Sequence, residues 1–106
     1  MKIIWKYVLD ASFAVDKSTD TVIELPAGCN IVHTEVVADG RVVIWVEFFV
    51  PHGWDGKAIM RKNFFRRAGT GHGVPDRYWH FHTFISECGT FVWHLYRMED
   101  TGDAAA

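Results

Sequence analysis

Residues 31–50 read Ile31-Val32-His33-Thr34-Glu35-Val36-Val37-Ala38-Asp39-Gly40-Arg41-Val42-Val43-Ile44-Trp45-Val46-Glu47-Phe48-Phe49-Val50, and this stretch decides the fold. Two runs rich in β-branched and aromatic residues flank Ala38-Asp39-Gly40, the pattern of a β-hairpin with a short glycine-bearing loop. With a three-residue loop, Val36 opposes Val42, Thr34 opposes Ile44 and Val32 opposes Val46. Those side chains, with Phe48, form one apolar face. His33, Glu35, Arg41, Trp45 and Glu47 form the other. A two-residue loop would place His33 and Glu35 among the apolar side chains. A slip of one residue moves every side chain to the opposite face, so the hydrophobic pattern selects the three-residue loop.

The same alternation extends outward in both directions. Ile3, Trp5, Tyr7 and Leu9 alternate with Lys2, Ile4, Lys6 and Val8, which predicts a first strand. Lys6 and Asp10 interrupt the apolar run, so this segment reads as a strand rather than a signal peptide. Asp16–Asp20 is a polar loop. Thr21–Leu25 is a short second strand closed by the turn Pro26-Ala27-Gly28. Pro51–Gly56 is a loop carrying an exposed Trp54, and Arg61–Arg67 is a strand. Residues 68–76 form a long irregular connection with three glycines, Gly69, Gly71 and Gly73. From Arg97 onward the chain reads as a polar, frayed tail. Six or seven short strands without an amphipathic helix predict an all-β domain over residues 1–99, a small antiparallel sandwich or partly open barrel. Residues 100–106 are a polar, alanine-ended tail.

Composition narrows the function classes. Hydrophobic residues make up 49% of the 106 and aromatics 15%, enough for one core. The net charge of −2 lacks the basic excess of a general nucleic-acid binder. No run approaches the roughly 18 apolar residues of a membrane span. Cys29 and Cys88 are too few for a disulfide framework and read as free thiols of a reducing cytosol.

The residues that carry chemistry gather in the closing hairpin, Tyr78–Ser86 and Thr90–Tyr96 around Glu87-Cys88-Gly89. With Gly89 in the left-handed position of a three-residue loop, His82 lies opposite His94 and His80 sits two residues along the same face. Tyr78, Phe84 and Tyr96 share that face, while Trp79, Phe81, Ile85, Phe91, Trp93 and Leu95 make a core face. Three neutral imidazoles could hold zinc or another divalent transition metal and leave a fourth position for an activated water. The competing reading is a set of surface or subunit-interface histidines stacked with Tyr78 and Tyr96, with no cofactor. A two-residue loop at Cys88-Gly89 would turn His94 into the core and dissolve the triad. Gly73, His80-Phe81-His82 and Glu87 nearly match a cupin metal motif. The glycine-to-histidine spacing is one residue too long, however, and too little chain follows for the second motif.

Two further features suit a phosphorylated ligand. Successive N–H groups of Gly69-Thr70-Gly71-His72-Gly73 could cradle an anion, although no helix follows as in the nucleotide fingerprints. Arg61, Lys62, Arg66 and Arg67 precede that loop, with Arg61 and Arg67 on one face of a strand and Lys62 and Arg66 on the other. Arginine forks match phosphate and carboxylate, though charges on an edge strand also guard against aggregation. Charge for phosphate and rings for base stacking together suggest a nucleotide-like ligand. The candidate ligand residues are Arg61, Arg67, Gly69, Thr70, Gly71, His72, Tyr78, His94 and Tyr96. Cys88 and the serines lack the positioned base that a nucleophile needs.

Trp5-Lys6-Tyr7, Pro26-Ala27-Gly28, Gly69-Thr70-Gly71-His72 and Val92-Trp93-His94 together resemble a family of short uncharacterised bacteriophage and prophage proteins, over Lys2 to about Arg97. The resemblance implies a small all-β accessory protein in the bacterial cytoplasm and brings no activity with it. His72 and His94 match its motifs and His80 and His82 do not, which shifts weight from a three-histidine metal site to the glycine loop and the Trp93-His94 strand. The expectation is a non-catalytic binding protein that captures a host protein or a small phosphorylated ligand, modulates host defence, and self-associates through rings such as Trp45, Trp54, Tyr78 and Tyr96. A metal-dependent hydrolase using His80, His82 and His94 and a virion component are the alternatives from other classes.

Overall fold

A computed structural model describes residues 1–9, 21–37, 41–71, 73–85, 89 and 92–100. Seven strands run in chain order: β1 Lys2–Leu9, β2 Thr21–Pro26, β3 Asn30–Val36, β4 Val42–Phe49, β5 Met60–Gly69, β6 Trp79–Ile85 and β7 Val92–Glu99. They form two antiparallel sheets, β1-β4-β3 and β2-β5-β7-β6. The described residues contain no helix, hence none long and apolar enough to cross a membrane. The two sheets pack as a small all-β sandwich around one core. Its buried members include Leu9, Ile44 and Val46 from the first sheet and Leu25, Phe65 and Leu95 from the second.

Period-two alternation explains this arrangement strand by strand. In β1 the half-buried Ile3, Trp5 and Tyr7 and the buried Leu9 alternate with exposed Lys2, Ile4, Lys6 and Val8. Strand β4 is central in its sheet, with Val42, Ile44, Val46 and Phe48 inward. Val36 opposes Val42 and Thr34 opposes Ile44, as the three-residue loop requires; the loop residues 38–40 themselves lie outside the described set. Past His33 the register shifts. Ile31, not Val32, opposes Val46, and Val32 is displaced into a β-bulge and 48% exposed.

Two other sequence expectations change. Trp54 is not an exposed loop residue. Its ring packs on Trp5 and Phe48, each at 6.0 Å between centroids, and its Nε1–H donates to the Lys57 carbonyl at 2.6 Å. The strand expected to end near Tyr96 runs on to Glu99, and Arg97 is only 3% exposed rather than frayed. The Arg97 Nε donates to Asn63 Oδ1 at 2.8 Å, and its Nη2 donates to the Cys29 carbonyl at 3.1 Å. Cys29 is a free, buried thiol there, whereas Cys88 falls outside the described residues, as does the Asp16–Asp20 loop.

Candidate functional site

The closing hairpin contains a second bulge, and it decides the site. At the far end of the hairpin the expected register holds, with His80 opposite Tyr96 and Trp79 opposite Arg97. The register then shifts between His80 and His82, so that His82 opposes Leu95, Thr83 opposes His94 and Phe84 opposes Trp93. Two residues of one strand face one of the other, the hallmark of a bulge, and side chains beyond it change faces. Phe81 and His82 both turn toward the sandwich interior, where Phe81 meets Phe65 edge-on at 5.7 Å. Phe84, expected beside the histidines, packs against the core instead, and Ile85 is 65% exposed.

The proposed triad therefore does not converge. His80 and His94 remain together on the outer face of the four-stranded sheet, while His82 points the other way. Among the described residues no group of three His, Cys, Asp or Glu side chains is placed to hold a metal ion. His82 instead lines a small hollow of about 250 Å³ with Ile31, Val32, His33, Thr34 and Phe81, where the bulged edges of the two sheets meet.

Thr83 takes the place that His82 was expected to fill. Its Oγ1 is hydrogen-bonded to His80 Nε2 at 2.7 Å and to His94 Nδ1 at 3.0 Å. The other nitrogen of His94, Nε2, is hydrogen-bonded to Thr70 Oγ1 at 2.9 Å. The four groups form one chain, Thr70–His94–Thr83–His80. With both rings neutral it has two polarities. In one, Thr70 donates to His94, His94 to Thr83 and Thr83 to His80, leaving His80 Nδ1–H to donate outward. In the other every bond reverses, and the Thr70 hydroxyl proton is left for an external acceptor. The chain can thus match either a donor or an acceptor presented at Thr70.

Rings and cations flank the chain. His80 packs edge-on against Tyr96 at 5.6 Å and tilts against His94 at 5.9 Å. Next to Tyr96 across the β5–β7 pairing is Arg66, whose guanidinium lies 5.0 Å from the Tyr78 ring centre. Arg66, Arg77, Phe64, Tyr78 and Met98, with Pro75 and Asp100, line an open hollow of about 430 Å³ on this side. Tyr78, Thr70, His94 and Tyr96 from the expected ligand set are therefore assembled on one region.

The remaining expected residues are placed otherwise. Arg61 and Arg67 do share a face, but it is the inward one, opposite Leu25 and Leu95. Arg67 is 7% exposed and lies 4.0 Å from the Trp93 ring centre, a buried cation–π contact. The outward-facing basic pair on β5 is Lys62 and Arg66. Gly69 ends β5 opposite Trp93, and Gly71 has a left-handed φ of 88°, the conformation that a tight connection there demands of glycine. His72 lies outside the described residues. Sequence reasoning missed Thr83 and Arg77, and it named Arg66 in the basic strand without placing it in the ligand set. Thr83 alternates with Phe84 in a run whose two faces are equally aromatic, so nothing in hydrophobicity reveals the bulge.

Neither Cys29 nor His82 has the setting of a reactive group. Burial pushes the Cys29 thiol pKa up, only partly offset by the nearby Arg97 guanidinium, so the thiol stays protonated. Burial lowers the His82 pKa, with the neighbouring His80 and His33 acting in the same direction. The unfolded chain then binds a proton that the folded chain resists, so stability is full above the ordinary histidine value of 6.5 and falls as pH drops below it. Urea midpoints measured from pH 7.5 to 5 are expected to decline in the wild type, with a smaller decline in His82→Gln.

The family described as Domain of unknown function (DUF7352) matches residues 1–105. The chain belongs to the DUF7352 family. No curated protein and no solved structure matches it. For this DUF7352 domain the working surface must be argued from its own geometry. The outer face of β2-β5-β7-β6 joins the hydrogen-bonding chain to an arginine-lined aromatic hollow. A larger groove of about 530 Å³ at the end of the sandwich, between Pro26-Ala27 and Trp54–Ile59, holds none of the expected site residues.

Proposed function

We propose that this domain is a non-catalytic binding protein whose working surface is the outer face of the four-stranded sheet. Its ligand is a small phosphorylated molecule with a flat ring, a nucleotide or a close relative. The observation that carries this reading is the Thr70–His94–Thr83–His80 chain lying beside Tyr96, Arg66 and Tyr78 on one open face. Arg66 and Arg77 suit the phosphate, the half-buried rings of Tyr78 and Tyr96 and the exposed His80 suit a base, and the reversible chain suits the donor and acceptor edges of that base. The phage setting suggested by the short motifs belongs to the same proposal. In a bacterial cytoplasm such a domain would withhold a nucleotide, or a host protein presenting one, and so blunt a host defence. Self-association belongs to it as well. No cofactor enters the reading.

Calorimetric titration with nucleoside monophosphates and the matching nucleosides tests it. Saturable binding that needs the phosphate is expected. Tyr96→Ala should weaken it by about 1–3 kcal/mol, the usual worth of one stacked ring. Arg66→Glu should erase the preference for nucleotide over nucleoside. An absence of saturable binding to any nucleotide, or a Tyr96→Ala protein that binds as well as the wild type, would overturn the proposal.

A further inference from the structure

The rings on the outer face of β2-β5-β7-β6 are spread along the strands rather than gathered at one point. Alternation puts Phe64, Arg66 and Ala68 of β5 and His94, Tyr96 and Met98 of β7 on that face. The register pairs Phe64 with Met98, Arg66 with Tyr96 and Ala68 with His94. Strand β6 continues two of these rows, with His80 beside Tyr96 and Thr83 beside His94. Tyr78, just before β6, borders the same hollow as Phe64 and Met98. Three consecutive rows therefore carry rings: Phe64 and Tyr78, then Tyr96 and His80, then His94. Phe64, Tyr78, Tyr96 and His94 are half-buried and His80 is exposed, so each row keeps ring surface open.

Successive rows on one face are about 7 Å apart, two residues along a strand. An extended single strand of nucleic acid sets its bases at a similar interval, whereas one base covers one row. Rings on the open face of a four-stranded sheet stack two or three unpaired bases in a common RNA-binding module. Cations accompany the rows here. Arg66 stands in the middle row and its guanidinium reaches to 5.0 Å from the Tyr78 ring centre in the first. Arg77 lines the hollow beside it. Beyond the first row Glu24 stands beside Lys62, and Asp100, whose N–H donates to the Lys62 carbonyl, borders the hollow, so acidic residues close that end. Past the third row β5 ends at Gly69. The ringed stretch is thus three rows long. A chain of net charge −2 lacks the extended basic surface that a long polyanion needs, but Arg66 and Arg77 match the two linking phosphates of three nucleotides.

We propose that this face binds a short single-stranded oligonucleotide, two or three nucleotides long, with one base on each row of rings. The proposal rests on the nucleotide reading above and names the class of ligand for that same surface. Stacking uses the face of a base and tolerates any sequence, whereas the Thr70, His94 and Thr83 groups of the third row meet the hydrogen-bonding edge of one base.

Calorimetric titration with a length series tests it: thymidine 5′-monophosphate, then the 5′-phosphorylated thymidine dinucleotide, trinucleotide and hexanucleotide. The matching uridine series is run beside it, and the tighter of the two names the sugar. Affinity is expected to rise about tenfold with each base up to three and to level off at the hexanucleotide. Phe64→Ala and Tyr78→Leu, each verified as folded by circular dichroism, should each cut the ratio of trinucleotide to mononucleotide affinity about tenfold. Affinity unchanged from mononucleotide to hexanucleotide would overturn this proposal and leave the mononucleotide reading standing. Duplex DNA bound as tightly as the single strand would overturn it too, since paired bases cannot reach the rings. No binding by any member of either series would overturn both.

Discussion

Arg97→Met is expected to cost about 3–5 kcal/mol, the usual loss when one partner of a buried ion pair is removed. The Arg97 side chain is 4% exposed and Glu99 13%, with Nη2 3.5 Å from Glu99 Oε1. The same carboxylate oxygen accepts the Gly28 N–H at 3.1 Å, and the guanidinium reaches the Cys29 carbonyl at 3.1 Å and Asn63 at 2.8 Å. Arg97 also lies 5.6 Å from the Trp79 ring centre. One side chain thus braces β7 and β5 to the turn that carries the chain from β2 in one sheet to β3 in the other. Methionine fills similar volume but leaves an interior carboxylate without its counter-charge and two acceptors, the Cys29 carbonyl and Asn63 Oδ1, without their donor. A small domain has about 5–15 kcal/mol in total, so the loss is a large share of it. Urea denaturation measures it. Arg97→Met combined with Glu99→Gln should cost clearly less than the two single losses added, since the stranded charge is gone. A midpoint for Arg97→Met near that of the wild type would show that the network contributes little.

Phe65→Ala is expected to cost a similar amount, about 3–5 kcal/mol, through lost burial and the cavity left behind. Phe65 is fully buried on β5 and meets Phe81 edge-on at 5.7 Å. Phe81 is the residue that the β6 bulge turns inward, so its seat depends on Phe65. The bulge in turn puts Thr83 opposite His94. Phe65→Ala should therefore disturb the Thr83–His94 hydrogen bond on the other side of the sheet as well as lower stability. Phe65→Leu, which keeps most of the volume, should cost about 1.5 kcal/mol or less and leave the hairpin register intact. Thermal melts with amide exchange at residues 80–85 read both effects.

The strands were legible because each face of β1, β3 and β4 differs sharply in polarity. Ile3, Trp5 and Tyr7 against Lys2 and Lys6 admit one reading, and the Val36–Val42 and Thr34–Ile44 pairs follow from it. The β6 strand gives no such contrast. His80, His82 and Phe84 on one side and Trp79, Phe81 and Ile85 on the other are both aromatic enough to be buried. A one-residue bulge between His80 and His82 therefore costs the pattern nothing, and sequence places His82 on the wrong face. The Val32 bulge is hidden for the same reason, since Ile31 and Val32 are interchangeable as core residues. Arg97 and Arg67 were misread because charge near a chain end, or on a strand beside Lys62, ordinarily means solvent. Their burial is explained only by partners remote in sequence: Asn63 and Cys29 for Arg97, and the Trp93 ring for Arg67. Thr70 and His94 were both visible as motif residues, but the hydrogen bond between them depends on the pairing of β5 with β7, which local sequence does not encode.

The central claim is that the outer face of β2-β5-β7-β6 is the binding surface. Amide chemical-shift mapping with a nucleoside monophosphate tests it most directly. The account predicts saturable shifts confined to Arg66, Thr70, Tyr78, His80, Thr83, His94 and Tyr96 and their immediate neighbours. Shifts centred on the three-stranded sheet, or on the groove beside Trp54, would contradict it.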